Sequence, residues 1–343
     1  MLTPNRPVKH MTTEEMFQTT CLPIFDSDMM IESVQGCNFV HRQLHKGAFY
    51  GKLYSLKLPR ACIDYGSYNL DVAVRGETSK KSYLVGMLLG VVQEARFFKA
   101  KVDSGDLLFA SPGSKLDVLH GIQPWWCFIS FDKETFEDAC RKRIEGQTFA
   151  QYAQQRAIIN SNPATIRLVQ LARYILFVCR QKQLCAGQLQ ARQRLANDLL
   201  ESCIDTIFGR HYSLVIEKTT KRAQLVELAE EYLYGIDANQ VKVSELAHNL
   251  SVSIRTLEYA FKEVFGITPK RYLMIRRLNF VRQKLLREPN KTITHHATQH
   301  GFWHMAQFSA DYKDFFGEAP SETLKKIKVS EKKRRCNGQP ISS

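Results

Sequence analysis

Arg255 and Glu258 stand three residues apart in Ser253-Ile254-Arg255-Thr256-Leu257-Glu258-Tyr259. On a helix that spacing puts both side chains on one face. A guanidinium so placed can hold guanine O6 and N7 through two hydrogen bonds, and a carboxylate can accept from cytosine N4. The same pair can instead bind to itself, which on a surface is worth only about a few tenths of a kcal/mol. Other chemistry is poorly provided for. The chain has no Gly-rich phosphate loop and no GxSxG elbow. His41 and His45 have the i,i+4 spacing of a metal pair on a helix, but no third ligand accompanies them. The nine cysteines are odd in number and form no CxxC pair. They predict buried reduced thiols, not a disulfide framework or a zinc ribbon. No catalytic residue, metal or cofactor is expected.

The charge points to a partner. The 343 residues carry a net +14, with 44% hydrophobic and 24% charged residues. Those values exclude a wholly disordered chain and fit two or three globular domains. A surplus of this size favours a polyanion, either nucleic acid or an anionic membrane surface. The surplus is concentrated: residues 254–291 hold ten basic and three acidic side chains. The longest apolar run, 84–92, is too short for a bilayer helix, which needs ~20 residues. The N-terminus lacks a signal pattern, so a soluble cytoplasmic protein is expected.

The elements that must position Arg255 and Glu258 come in two copies. The first runs from Ser244 through Ala247, Val252, Leu257 and Phe261 to Phe265-Gly266-Ile267-Thr268-Pro269. The second runs from Thr294 through Ala297, Phe302, Phe308 and Tyr312 to Phe316-Gly317-Glu318-Ala319-Pro320. Ala247 and Val252 lie 50 residues before Ala297 and Phe302, whereas Leu257, Phe261 and Pro269 lie 51 before Phe308, Tyr312 and Pro320. The second turn therefore holds one extra residue. Each copy reads as a helix-turn-helix. A small alanine permits close crossing, Gly301 frees the second turn, and Ser251 takes its place in the first with strain or a different turn. Ser253 is placed to cap the first recognition helix, and Gly266 and Gly317 are natural stops. Residues 269–286 read as a linking helix ~27 Å long, against the ~34 Å between adjacent turns of a major groove. Two recognition helices in successive grooves explain the basic window better than a membrane does.

On these motifs residues 221–324 resemble the DNA-binding domain of the AraC/XylS family of bacterial transcription regulators. The carriers are Ser253-x-Arg255-x-Leu257, Phe261, Phe265-Gly266-x-x-Pro269-x-x-Tyr272, Arg277-Leu278 and Ala297-x-x-x-Gly301-Phe302, with Phe308, Tyr312 and Phe316-Gly317-x-x-Pro320. The piece Gly301-Phe302-Trp303-His304-Met305-Ala306-Gln307-Phe308 is similar to the branch that includes the ethanolamine-utilisation operon regulator. His296 and Val281 depart from the family pattern. The resemblance implies base contacts by Ile254, Arg255, Glu258 and Tyr259 in the first copy, and by Met305, Ala306, Ser309 and Ala310 in the second. The second set can make no bidentate bond, so weaker readout is expected there. Lys270, Arg271, Arg276, Arg282, Lys284, His304 and Lys313 are the phosphate-contact candidates. Trp303 is expected to pack into the core. The implied partners are double-stranded promoter DNA, RNA polymerase, a small-molecule effector and a second copy of the chain, with no membrane.

The N-terminal half reads as short apolar runs at 49–58, 70–75, 83–92, 97–102, 107–110, 116–119 and 126–131, broken by turn residues. They predict a small barrel or sandwich, similar to the family's cupin-like effector domain. Phe49, Tyr54, Tyr65, Tyr68, Trp125, Trp126 and Phe128 are aromatics able to line it. Helices at 163–179 and 189–208 form a hairpin suited either to dimerisation or to intrachain packing. The expected fold class is therefore α+β: a cupin-like β-barrel or sandwich with a helical hairpin, then an all-α domain with two helix-turn-helix motifs joined by a linking helix. The expected divisions are a lead-in at 1–35, sensor at 36–160, hairpin at 161–210, linker at 211–220, DNA-binding domain at 221–328 and basic tail at 329–343. The function this supports is an effector-responsive activator. An effector-independent regulator and a β-barrel enzyme tethered to DNA are the competing readings.

Overall fold

The computed structural model describes residues 22–24, 37–90, 95–121, 125–143, 156–180, 189–208, 220–235 and 241–326. Most of the expected lead-in and linker, the segment 181–188 between the two hairpin helices, and the basic tail lie outside them. The chain is α+β: a β-sandwich followed by a helical domain.

One sheet has seven strands in the order β1-β3-β4-β11-β6-β9-β12. They are β1 (Leu22–Ile24), β3 (Gly51–Leu58), β4 (Ala61–Tyr68), β6 (Ser82–Leu88), β9 (Leu107–Ala110), β11 (Trp125–Asp132) and β12 (Arg156–Ile159). The other has five in the order β2-β5-β10-β7-β8: β2 (Asn38–Gln43), β5 (Val72–Glu77), β7 (Arg96–Phe97), β8 (Ala100–Lys101) and β10 (Lys115–His120). Each of the seven expected runs contains a strand. Four were missed: β1, β2, β4 and β12. Ala61–Tyr68 carries Asp64, Gly66 and Ser67 among its apolar residues, which disguises a central strand as a loop.

Between the sheets lie Phe39, Val72, Val74, Leu84, Leu108, Leu116, Val118, Trp126 and Phe128. A Cβ at Gly66 would sit 2.8 Å from the Trp126 ring, and one at Gly86 would sit 2.7 Å from the Phe128 ring. Glycine at both places lets large rings lie flat on the sheet. Of the aromatics expected to line a cavity, Tyr54 and Tyr65 stack in the core outside the sandwich, Trp126 and Phe128 fill its interior, and Trp125 is exposed. His41 lies buried on strand β2 and not on a helix, so the i,i+4 spacing it shares with His45 does not place the two on one helix face.

Three helices cover the outer face of the larger sheet: α1 (Lys133–Arg143), which was not expected, α2 (Pro163–Arg180) and α3 (Leu189–Phe208). Leu168, Ala172, Ile175, Leu199, Cys203 and Ile207 share one core with Tyr83, Phe109 and Phe131. The inner face of the hairpin is thus used by the chain itself. Ile166, Tyr174 (64%) and Phe177 (59%) are exposed on α2.

The helical domain contains α4 (Lys221–Gly235), α5 (Val243–Asn249), α6 (Ile254–Phe265), α7 (Pro269–Arg287), α8 (Ile293–Gln299) and α9 (Met305–Phe316), then a short helix over 320–326. Leu257 and Phe261 belong to one core, with Ala247 and Tyr272. Phe308 and Tyr312 belong to another, with Ala297, Leu278 and Leu285. Helix α7 carries residues of both cores and so holds the two hairpins together.

Candidate nucleic-acid interface

The two hairpins turn by the same device. Val252 donates its N–H to the Ala247 carbonyl at 3.0 Å, and Phe302 donates to that of Ala297 at 3.0 Å. Gly301 has φ +78°. Ser251 holds φ +53°, so the first copy makes the same left-handed turn with a side chain that disfavours it. Gly266 and Gly317 end the recognition helices α6 and α9 in left-handed conformation, at φ +70° and +74°.

The helix starts differ. Ser253 accepts the Thr256 N–H at 3.0 Å and caps α6. Thr268 and Thr292 cap α7 and α8 in the same way. His304 occupies the cap position of α9 and makes no such bond. The extra residue of the second turn is Trp303. It is 67% exposed, which corrects the expectation that it packs into the core. The core beside it is already filled by Phe302 and Phe308, whose rings are 5.0 Å apart.

Among the expected base contacts, Ile254, Arg255 and Tyr259 are exposed on α6 and Glu258 is half-buried. Arg255 does not choose Glu258. Its Nη2 donates to the Tyr259 hydroxyl at 3.1 Å, and its guanidinium lies 5.6 Å from the Tyr259 ring centre. Arg222 approaches the same ring at 5.8 Å, a contact that no spacing rule revealed because α4 is remote in sequence. On α9, Ala306, Ser309 and Ala310 are exposed and Met305 is half-buried.

The phosphate candidates divide. Lys270, His304 and Lys313 are exposed. Arg271 and Lys284 are half-buried, with Lys284 bound to Glu288 at 2.7 Å. Arg276 and Arg282 are buried and leave the set. Arg276 is 5% exposed, donates to the Leu233 carbonyl and lies over the Phe280 ring. Burial, then neighbouring Arg42, pushes its guanidinium down to about 10. Arg282 pairs with Glu318 at 2.9 Å and lies 4.6 Å from the Phe316 ring centre. A linking helix packed on several sides has less solvent face than a simple amphipathic pattern allows. The departure at His296 is met in part: the ring is fully buried, its Nε2 meets the Glu288 carbonyl at 3.2 Å, and its Nδ1 has no hydrogen-bond partner among the described residues.

This hairpin pair has close counterparts. The "Helix-turn-helix domain" family matches residues 246–326. The "Probable thc operon regulatory protein" of Rhodococcus erythropolis is 37% identical over 105 residues, covering 30% of this chain and 32% of that protein. A "XylDLEGF operon transcriptional activator" of Pseudomonas putida is 33% identical over 233 residues, covering 65% of this chain and 68% of that one. The chain belongs to the AraC/XylS family. It spans only about a third of the length of the Rhodococcus protein. Among solved structures, the AraC-like transcriptional activator CuxR overlays 71% of this chain and 85% of its own, with TM-score 0.38 and 13% identity.

In this AraC/XylS chain the sandwich grips both hairpins. Arg96 donates to the Glu263 carbonyl, in the last turn of α6, at 2.8 Å. Lys99 lies over the ring of Phe265, also in that turn, 5.0 Å from its centre. Gly47 donates to the carbonyl of Phe315, in the last turn of α9, at 2.8 Å. Gln43 and Asn279 exchange two hydrogen bonds between β2 and α7, at 3.2 and 3.1 Å. At the centre of the joint Lys99, 4% exposed, pairs with Asp117 of its own sheet and with Glu230 of α4. Arg75 also reaches Glu230 at 3.6 Å, and the Tyr272 hydroxyl donates to it at 2.6 Å. Burial alone would raise the Glu230 carboxyl; Lys99 and Arg75 outweigh it and hold the group down at about 2. A carboxylate and an ammonium out of water persist together only because each satisfies the other.

Proposed function

We propose that the protein is an effector-responsive transcription activator that inserts α6 and α9 into successive major grooves on one side of promoter DNA. The observation that carries this is the shared turn geometry of two hairpins mounted on one helix of 19 residues. At 1.5 Å per residue that helix is roughly 28 Å long, near one turn of duplex. The reading takes Ile254, Arg255, Glu258, Tyr259, Met305, Ala306, Ser309 and Ala310 as base contacts. It takes Lys270, Arg271, Lys284, His304 and Lys313 as phosphate contacts.

The effector acts, in this reading, by shifting the sandwich between two arrangements of unequal ligand affinity. The joint supports it: the sandwich holds the last turns of both recognition helices, so a rearrangement of β7 or β8 reaches α6 and one of β2 and the segment after it reaches α9. RNA polymerase, a cytoplasmic setting and a homodimer complete the proposal; Tyr174 and Phe177 on the outer face of α2 support self-association. The ethanolamine-type branch rests on the motif Gly301–Phe308 alone. The divisions at 36–160, 161–210 and 221–328 follow the same reading.

Selection from a random duplex library by the full-length protein tests the core of it. A recovered site with two half-sites about one helical turn apart is the expected result, with affinity falling steeply as salt rises. Recovery of no sequence in preference to the starting pool would end the proposal. Repeating the selection with candidate metabolites separates an effector-responsive regulator from an effector-independent one.

A further inference from the structure

Trp303 is the residue by which the second turn is longer than the first, and its ring is largely unburied. The first copy passes directly from Val252 to its cap residue Ser253; the second inserts Trp303 between Phe302 and the cap residue His304. Nothing in the packing requires an indole there. Phe302 already closes the hairpin against Phe308 and carries Arg277 over its ring at 5.2 Å. The insertion places two-thirds of a large apolar surface in water, immediately before the N-terminus of a recognition helix.

Three facts about its surroundings indicate what covers it. Recognition helices meet DNA with their N-terminal turns, so residue 303 stands beside the duplex whenever α9 is seated. Three exposed side chains of α9 are short (Ala306, Ser309 and Ala310), and exposed Gln307 is turned along the helix to Asp311 at 2.9 Å, so the face built by the short residues can lie close to the groove floor. A flanking indole then meets the groove wall, where deoxyribose offers an apolar surface and phosphate an acceptor. Tryptophan fits both, having an apolar body and a single N–H donor. The neighbouring Arg277 also makes the approach electrostatically favourable.

We propose that Trp303 is a DNA-contacting residue that docks its ring on a deoxyribose and donates its Nε1–H to the adjoining phosphate, positioning the second hairpin in its groove. The proposal rests on the DNA-binding reading above. It adds that the hairpin poorest in base-reading side chains is held by one bulky backbone contact.

The test uses the full-length protein and a duplex obtained by the selection described above. Trp303→Ala is expected to weaken binding about tenfold and to thin the footprint over one half-site only. Trp303→Phe, which keeps the ring and loses the donor, should fall between Ala and wild type. Because no charge is removed, the slope of log Kd against log salt should stay unchanged, whereas removing a phosphate-bound lysine lowers it by about 0.9. Thermal midpoints of both variants should match wild type. Unchanged affinity in Trp303→Ala overturns the proposal, and so does a fall in its thermal midpoint that accounts for the lost binding. Trp303→Gln provides a second exposed variant if the alanine protein does not fold, and equal binding by it overturns the proposal too. Unchanged DNA affinity with lost promoter activation would assign the ring to a protein partner, again against the proposal. If wild type itself selects no sequence, the failure lies with the DNA-binding reading and not with Trp303.

Discussion

The two hairpins of the helical domain share a backbone and differ in nearly everything laid upon it. The first has a capped helix α6, an outward face of long side chains at Ile254, Arg255, Glu258 and Tyr259, and a strained left-handed serine at its turn. The second has an uncapped helix α9, short side chains at the matching positions Ala306, Ser309 and Ala310, an unstrained glycine and an added indole. They are also tied to the sandwich differently. Behind α6 stands a buried ion cluster, whereas α9 is held by a backbone bond from Gly47 and an exposed Lys46–Asp314 pair. The contrast teaches that a duplicated frame fixes where side chains stand, while the work is divided by what each copy carries.

The comparison can be broken first at its shared part. Leu257→Ala and Phe308→Ala each remove a fully buried side chain from a hairpin core. Each should cost about 2–5 kcal/mol in urea unfolding. A much smaller loss in one would show that the two frames are not equally packed. Next comes reading power. Arg255→Ala should cost about 1–3 kcal/mol of discrimination at one base pair, and Ser309→Ala should cost clearly less. Equal losses measured by base-by-base binding scans would erase the proposed division between hairpins.

The ties to the sandwich respond to acid. Glu230 stays ionised down to about 2 against its ordinary 4.5, because Lys99 and Arg75 outweigh burial. A carboxyl depressed in this way adds stability that is full above about pH 4.5 and lost as pH falls toward 2. The stability gap between wild type and Glu230→Gln should therefore shrink over that window, and a gap constant with pH would remove Glu230 from the joint. The smallest effects sit at the turns and caps. Ser251→Gly should stabilise by up to about 1 kcal/mol by relieving a positive φ, and Gly301→Ala should destabilise by about as much. His304→Ser should gain about 0.5–1 kcal/mol by supplying the missing cap. Thermal unfolding checks all three; if His304→Ser gains nothing, the uncapped start of α9 carries no cost.

Much of this was legible in the order of residues. The duplication, the offset from 50 to 51, the glycine stops at Gly266 and Gly317 and the cap at Ser253 depend on contacts a few residues apart, which composition and spacing encode directly. So do the short apolar runs, bounded by turn residues, that each contain a strand of the sandwich. Local pattern failed where distant segments compete for one side chain. Arg276 and Arg282 look like surface cations on a basic helix, yet the first meets Leu233 and Phe280 and the second meets Glu318 and Phe316. Ala61–Tyr68 looks like a loop until β3 and β11 flank it. Trp303 looks like core until Phe302 and Phe308 are seen to have closed the space.

By itself the sequence determined that two helical hairpins follow a β-rich half, since helix starts, turns and stops are set by short-range sterics and hydrogen bonding. Only the tertiary structure decided which cations face solvent, which way α2 turns its apolar residues, and that Lys99, Arg75, Asp117 and Glu230 meet in one buried cluster. Burial is a property of the assembled surface, and no residue's own neighbours in the chain can report which remote segment will cover it.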